Sequence, residues 1–240
     1  MAPDRIDRRG LLGAGAGLGA GLVLGSGAAQ PGDALAASPP AEDQPPSPGE
    51  TLMTEHGVLK RLLLVYQTAS DRLAAGHTPP AAAITETADI IGDYIEGFHE
   101  GLEEGFVFPR VRPKHPGVVH TLLVQHDRGR HLTGAINYLS TQDLKQAKVR
   151  KALHRYLDLF VSMYSRHEAW EDTIIFPTIR AVTTQRTLDE LAARFVDLET
   201  ARYGDSAYIH FLGRVKGIEE QLGVGNLASF TPPEINPPYD

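Results

Sequence analysis

Residues 99–109, His-Glu-Gly-Leu-Glu-Glu-Gly-Phe-Val-Phe-Pro, return at 167–177 as His-Glu-Ala-Trp-Glu-Asp-Thr-Ile-Ile-Phe-Pro. His99 and His167, Glu103 and Glu171, and Pro109 and Pro177 fall at identical offsets, so the chain contains an internal duplication. Each copy has a further histidine upstream: His56 lies 43 residues before His99, and His126 lies 41 residues before His167. A duplicated set of His…His-x-x-x-Glu is the arrangement expected when two half-sites hold a pair of metal ions between them.

The segments that carry these residues read as helices. From Thr51 to about Ala75, Leu52, Leu59, Leu62, Leu63 and Tyr66 follow the 3, 4, 7 spacing of an amphipathic helix, with His56 on the same inward stripe. A second helix is predicted from about Ala81 to Phe108, with His99 and Glu103 stacked one turn apart on its apolar stripe. A third, Val118 to Ser140, carries His126, and a fourth, about Asp143 to Phe176, carries His167 and Glu171. Pro109 and Pro177 are expected to end or kink their helices, because proline lacks the backbone donor and crowds the preceding turn. A further amphipathic helix is predicted from Thr187 to Leu222, with a break at Gly204, followed by an irregular tail rich in proline. No alternating strand pattern of useful length occurs. The reading is all-α: an up-down-up-down four-helix bundle over 50–182 and an additional C-terminal helix and tail over 183–240.

A buried carboxylate costs several kcal/mol unless it is paired or bound to a cation, and no inward Lys or Arg recurs with the regularity of Glu103 and Glu171. The candidate metal ligands are therefore His56, His99, Glu103, His126, His167 and Glu171, each ion taking two histidines and the glutamates bridging. One inward histidine, or one His-x-x-x-Glu pair, is ordinarily structural; packing does not require polar types at repeated offsets. The sequence has no cysteine, so any metal must use nitrogen and oxygen ligands. That donor set favours two iron ions, with manganese or zinc as substitutes. Glu100 and Glu168, each directly after a motif histidine, are candidates for an edge ligand or for orienting a histidine, with surface solvation the alternative; Arg130, one turn after His126, is a candidate partner of a bridging glutamate. Tyr164 and Trp170 read as core packing, and His77, His115, His120, His154 and His210 as structural or exposed.

On these residues the chain resembles the hemerythrin family in its His-His-Glu cation-binding form, over about residues 50–182. The resemblance implies an oxo- or hydroxo-bridged di-iron centre that meets dioxygen, peroxide or nitric oxide. Oxygen carriers of that family have a second histidine four residues after the third-helix ligand; here that position is Arg130, and His131 is turned about 140° away on an ideal helix. The carriers' fourth-helix His-x-x-x-x-Asp is read as replaced by His167-x-x-x-Glu171. These departures point from transport towards binding or sensing of a small oxidant. The alternatives are an enzyme acting on peroxide, oxygen or nitric oxide, with Glu100, Glu168 or Tyr164 as proton donor, and a bundle that stores metal or is structural.

The first 36 residues read as an export signal that resembles the twin-arginine type. Asp7-Arg8-Arg9-Gly10-Leu11-Leu12 precedes an uncharged Gly/Ala/Leu run, with processing after Ala34-Leu35-Ala36 or at the competing Gly27-Ala28-Ala29. So rich in Gly and Ala, that run would be a poor membrane anchor; the expectation is a periplasmic or secreted protein with no stable membrane span. Residues 37–49 read as a proline-rich linker. The net charge of −7, with no Lys/Arg run interleaved with aromatics, excludes a nucleic-acid surface.

Overall fold

Ser47-Pro48-Gly49-Glu50 starts the described helical body with a capping box: the Ser47 hydroxyl accepts from the Glu50 amide, and the Glu50 carboxylate accepts from the Ser47 amide at 2.7 Å. Pro48 suits the first helical position, where no N–H is needed. The helix thus begins at Pro48, inside the stretch read from sequence as linker. The structure, a computed structural model, describes residues 46–205 and 207–234. The export signal and linker residues up to 45, and Pro237 and Pro238 of the tail, lie outside the described residues.

Helix α1 is Pro48–Ala74, and it buries Leu52, Leu59, Leu62, Leu63 and Tyr66 together with His56, as the periodicity predicts. Each such fully buried apolar side chain contributes about 1.5–3 kcal/mol. Helix α2 runs through residues 81–111 and α4 through 147–182; α3 is Pro116–Ser140, α5 Gln185–Tyr203 and α6 Ala207–Leu222. The fold is all-helical, with no strand among the described residues. Helix α1 lies along α4, α3 packs against both α2 and α4, and α5 and α6 cover α1, with α6 also reaching α2. The predicted C-terminal helix is two, parted at Gly204, whose φ of 76° ends α5.

The prolines behave differently from the expectation. Helix α2 continues past Pro109 to Val111, and α4 continues past Pro177 to Val182. In each copy the turn just before the proline is π-helical, Glu103–Val107 and Glu171–Ile175, so that Phe108 donates to the Glu103 carbonyl and Phe176 to the Glu171 carbonyl, five residues back. The widened turn moves the preceding carbonyls off the proline ring and removes the clash that would have broken the helix. Helix α2 carries a second π-helical run, Ile91–His99, which has no counterpart in α4, where the aligned residues 159–167 are α-helical. No described helix is long and apolar enough to cross a membrane.

Candidate metal centre

The four bundle helices bring the six predicted residues to one buried point. His56 comes from α1, His99 and Glu103 from α2, His126 from α3, and His167 and Glu171 from α4; none is more than 4% exposed. The His56 and His99 rings form one pair and the His126 and His167 rings the other, each with centroids 4.8 Å apart. Glu103 lies between the pairs, one oxygen 3.5 Å from His99 Nε2 and the other 3.5 Å from His126 Nε2. Glu171 places Oε2 3.0 Å from His167 Nε2 and 3.4 Å from His56 Nε2. Candidate ligand atoms of Glu103, His126, His167 and Glu171 lie within 4.8 Å of one another, as do those of His56, His99 and Glu103.

Every imidazole turns Nε2 inward because Nδ1 is held from outside. His99 Nδ1 donates to Glu55 at 2.8 Å and His167 Nδ1 to Gln125 at 3.0 Å. His56 Nδ1 donates to Asp172 at 2.8 Å and His126 Nδ1 to Glu104 at 2.9 Å. The duplication is visible here again: the residue before each upstream histidine holds the other histidine of its own copy, and the residue after each of Glu103 and Glu171 holds the upstream histidine of the opposite copy. Metal-bound histidines are oriented by such outer partners, which fix the tautomer.

All four carboxylate oxygens of Glu103 and Glu171 are buried without a hydrogen-bond partner among the described residues, the nearby imidazole nitrogens lying outside hydrogen-bond geometry. His126 and His167 Nε2 stand 3.1 Å apart, a separation that needs a proton or a cation between two nitrogens. Burial alone would push His56 down, but Asp172 and Glu171 carry its pKa up to about 9. Burial likewise opposes charge on Glu171, yet His167 and His56 hold it well below the usual carboxylate range. The pocket attracts positive charge. Buried carboxylates that accept no hydrogen bond and stand among inward imidazoles fit a metal, and the cluster could hold one or more ions.

Around this core lies a ring of charge that the sequence only hinted at. Glu100 and Glu168 are not solvated: they are 1% and 2% exposed. Arg130 donates to Glu100 at 2.7 Å and to Glu104 at 2.6 Å, and therefore not to a bridging glutamate; Lys60, at the equivalent place in the first copy, pairs with Glu168 at 2.6 Å. Tyr164 is buried, but it also donates to Glu100 at 2.7 Å. Trp170, read as core packing, is instead 54% exposed. His77, His120 and His210 are exposed, His115 is half-buried, and His154 accepts or donates at 2.7 Å to Ser70 on α1. His131 is exposed and donates Nδ1 to the Asp127 carbonyl, far from the role of a ligand.

Glu55, Glu104, Gln125 and Asp172 are the functional residues that sequence reading missed. Their signal was present, at offset −1 from each upstream histidine and +1 from each bridging glutamate. Asp172 also corrects the reading of the fourth helix: an aspartate does stand five residues after His167, but its carboxylate is spent on His56 Nδ1, and Glu171 occupies the centre.

Glu96, on the π-helical run, faces Thr133 of α3 at 2.5 Å. Burial pushes its pKa up to about 7, against the Thr133 hydrogen bond, with Glu100 adding to the rise. The folded protein then holds a proton that the unfolded chain has lost between about pH 4.5 and 7, so this contribution to stability is fully present below pH 4.5 and is lost as pH rises through 7. Glu96→Gln is expected to make the metal-free protein more stable at pH 8 by on the order of 2 kcal/mol and to flatten that part of the pH profile. Chemical denaturation of both proteins at pH 5 and pH 8 checks it; an equal loss at both values refutes it.

A family model described as hemerythrin HHE cation binding domain matches residues 47–179. The chain is 35% identical over 236 residues to uncharacterized proteins of Mycobacterium bovis and of two strains of Mycobacterium tuberculosis, covering 96% of this chain and 92% of each relative. No solved structure matches it.

Proposed function

The chain belongs to the hemerythrin HHE cation-binding family, and on that premise we propose that it is an exported protein whose buried cluster holds two iron ions and binds or senses dioxygen or a related small oxidant. The observation that carries the reading is the set of four unpartnered carboxylate oxygens of Glu103 and Glu171 enclosed by four inward Nε2 atoms. The helices α1 to α4 are the up-down-up-down bundle of that family. His56 and His99 would hold one ion and His126 and His167 the other, with Glu103 and Glu171 supplying carboxylate between the two pairs. Bound iron supplies the reversible electron transfer and open coordination that a small oxidant needs. The protein's part is to supply charge, orientation and dryness. Glu55, Asp172, Glu104 and Gln125 keep each Nδ1 protonated and each Nε2 available, while Phe176 stacks on His56 and Phe108 on His126 and exclude water from the two rings.

With Arg130 where an oxygen carrier has a further histidine, the His126/His167 half would offer one protein ligand fewer than in a carrier, which favours sensing or chemistry over transport. The enzymatic reading has one observation in its favour: the Tyr164 hydroxyl donates to Glu100, whose other oxygen lies 3.9 Å from His126 Nδ1. Export by the twin-arginine route, to the periplasm or beyond, is part of the proposal and rests on residues 1–36.

Optical spectra of anaerobically reduced, iron-loaded protein before and after oxygen test it. The expected result is a new near-ultraviolet and visible absorption on exposure, with iron near two per chain. Iron far below that value, or a spectrum indifferent to oxygen, peroxide and nitric oxide alike, defeats the proposal. Peroxide loss in proportion to iron content selects the enzyme.

A further inference from the structure

The two copies are not held alike. Where α2 passes through Ile91–His99, the backbone widens into a π-helical run, and side chains from elsewhere in the fold meet its carbonyls. Two residues at the end of α5, beyond the matched family segment 47–179, reach those carbonyls. Arg202 donates to the Gly97 carbonyl and, at 2.9 Å, to the Asp93 carboxylate; Tyr203 Oη donates to the Asp93 carbonyl at 2.8 Å. Gly97 makes room for this: a Cβ there would lie 2.8 Å from Arg202 Nη2 and 3.0 Å from the Gly92 carbonyl oxygen.

Aromatic packing seals the same contact. Tyr94 stacks on Phe211 at 4.2 Å, and Tyr203 meets Tyr94, Phe98 and Phe211 edge-on at 5.9, 5.5 and 5.2 Å. In the second copy the positions of Tyr94, Gly97 and Phe98 are Ser162, Ser165 and Arg166, on one face of α4. That face is α-helical, with Ser162 and Arg166 exposed. The run ends on His99, whose Nδ1 meets Glu55 of α1; inserting or releasing the extra residue of a π turn rotates everything beyond it by about 100°. The register of His99 therefore depends on what holds 91–99 in its π form.

We propose that Arg202 and Tyr203 are positioning residues that lock the π-helical run and so make the α2 contribution to the centre, His99 and Glu103, conditional on the C-terminal helices, while His167 and Glu171 of α4 stand on the bundle alone. The metal part rests on the reading of the cluster as a two-ion site; the backbone part does not.

The test is Arg202→Ala/Tyr203→Phe in the full chain, with Arg214→Ala, which removes a different α6 to α2 ion pair with Glu86 at 3.4 Å, as control. Amide hydrogen exchange of the metal-free protein is expected to rise roughly tenfold or more at 91–99 and to stay unchanged at 159–167. Ferrous ion titration is expected to show both equivalents weakened, because Glu103 faces both histidine pairs, with the one that also depends on His99 weakened by about 10- to 100-fold more than the other. Unchanged exchange at 91–99, a matching rise at 159–167, equal weakening of both equivalents, or the same pattern in Arg214→Ala overturns the proposal. If wild-type protein binds no iron, the two-ion reading falls, and the exchange data alone decide the lock. Should the double variant fail to fold, Arg202→Gln carries the same comparison.

Discussion

Replacing Glu103 by alanine is expected to empty both halves of the centre at once. Its two oxygens face different histidine pairs, one directed to His99 and the other to His126, each at 3.5 Å. Outer partners of metal ligands cost about 10- to 100-fold in affinity when lost, so the loss of a shared carboxylate should exceed roughly a hundredfold at both ions. His99→Ala, by contrast, should leave the His126/His167 half able to bind. Glu103→Ala should also abolish the response to chelation. Wild-type protein loses the stabilisation that bound ions give to the folded state, about 2.7 kcal/mol for each site at a hundredfold excess over its dissociation constant, whereas Glu103→Ala should melt at the same temperature with and without chelator. Metal analysis and thermal melts of the three proteins decide it. Near-normal metal content in Glu103→Ala would exclude the bridging role.

Gly129→Ala is expected to be the most disruptive single methyl group that the bundle can receive. Gly129 lies on α3 where the Tyr164 ring of α4 crosses it; a Cβ there would fall within the hydroxyl and 2.7 Å from Cζ. Tyr164 is 1% exposed and wedged beside Phe160 at 4.4 Å and His167 at 5.4 Å, so the ring cannot swing away freely. Either α3 and α4 separate or Tyr164 leaves Glu100, and overpacking of this kind costs about 1–3 kcal/mol before the lost hydrogen bond is added. Tyr164→Phe, which keeps the ring and removes only the hydroxyl, should cost about 1 kcal/mol. Denaturant titrations should therefore rank wild type, Tyr164→Phe and Gly129→Ala in falling order. In Gly129→Ala/Tyr164→Leu the clash is relieved, and part of the loss should return; no recovery would mean that the damage arises elsewhere.

Much of the centre was legible in the chain because its information is local and repeated. Periodicity assigns His56, His99, Glu103, His126, His167 and Glu171 to inward stripes, and a duplication that preserves polar types at fixed offsets has no packing explanation. The start of the first helix was misread because Pro48 and Gly49 look like linker until Ser47 and Glu50 are seen to cap each other. Trp170 was misplaced for a related reason: beside a motif, a large aromatic suggests core, yet its direction on α4 is outward.

By itself the sequence determined an all-helical fold, two like halves, a nitrogen and oxygen donor set and the six residues at its centre, since each of these follows from spacing along one helix or from residue type. Only the tertiary structure decided which groups hold the histidines from behind, that Arg130 serves Glu100 and Glu104, and that two π-helical turns carry the chain through Pro109 and Pro177. It alone showed that α5 reaches back to the backbone beside His99. Those facts depend on the register between helices. Register is set by the whole packed interface, whose contacts here join residues roughly a hundred positions apart.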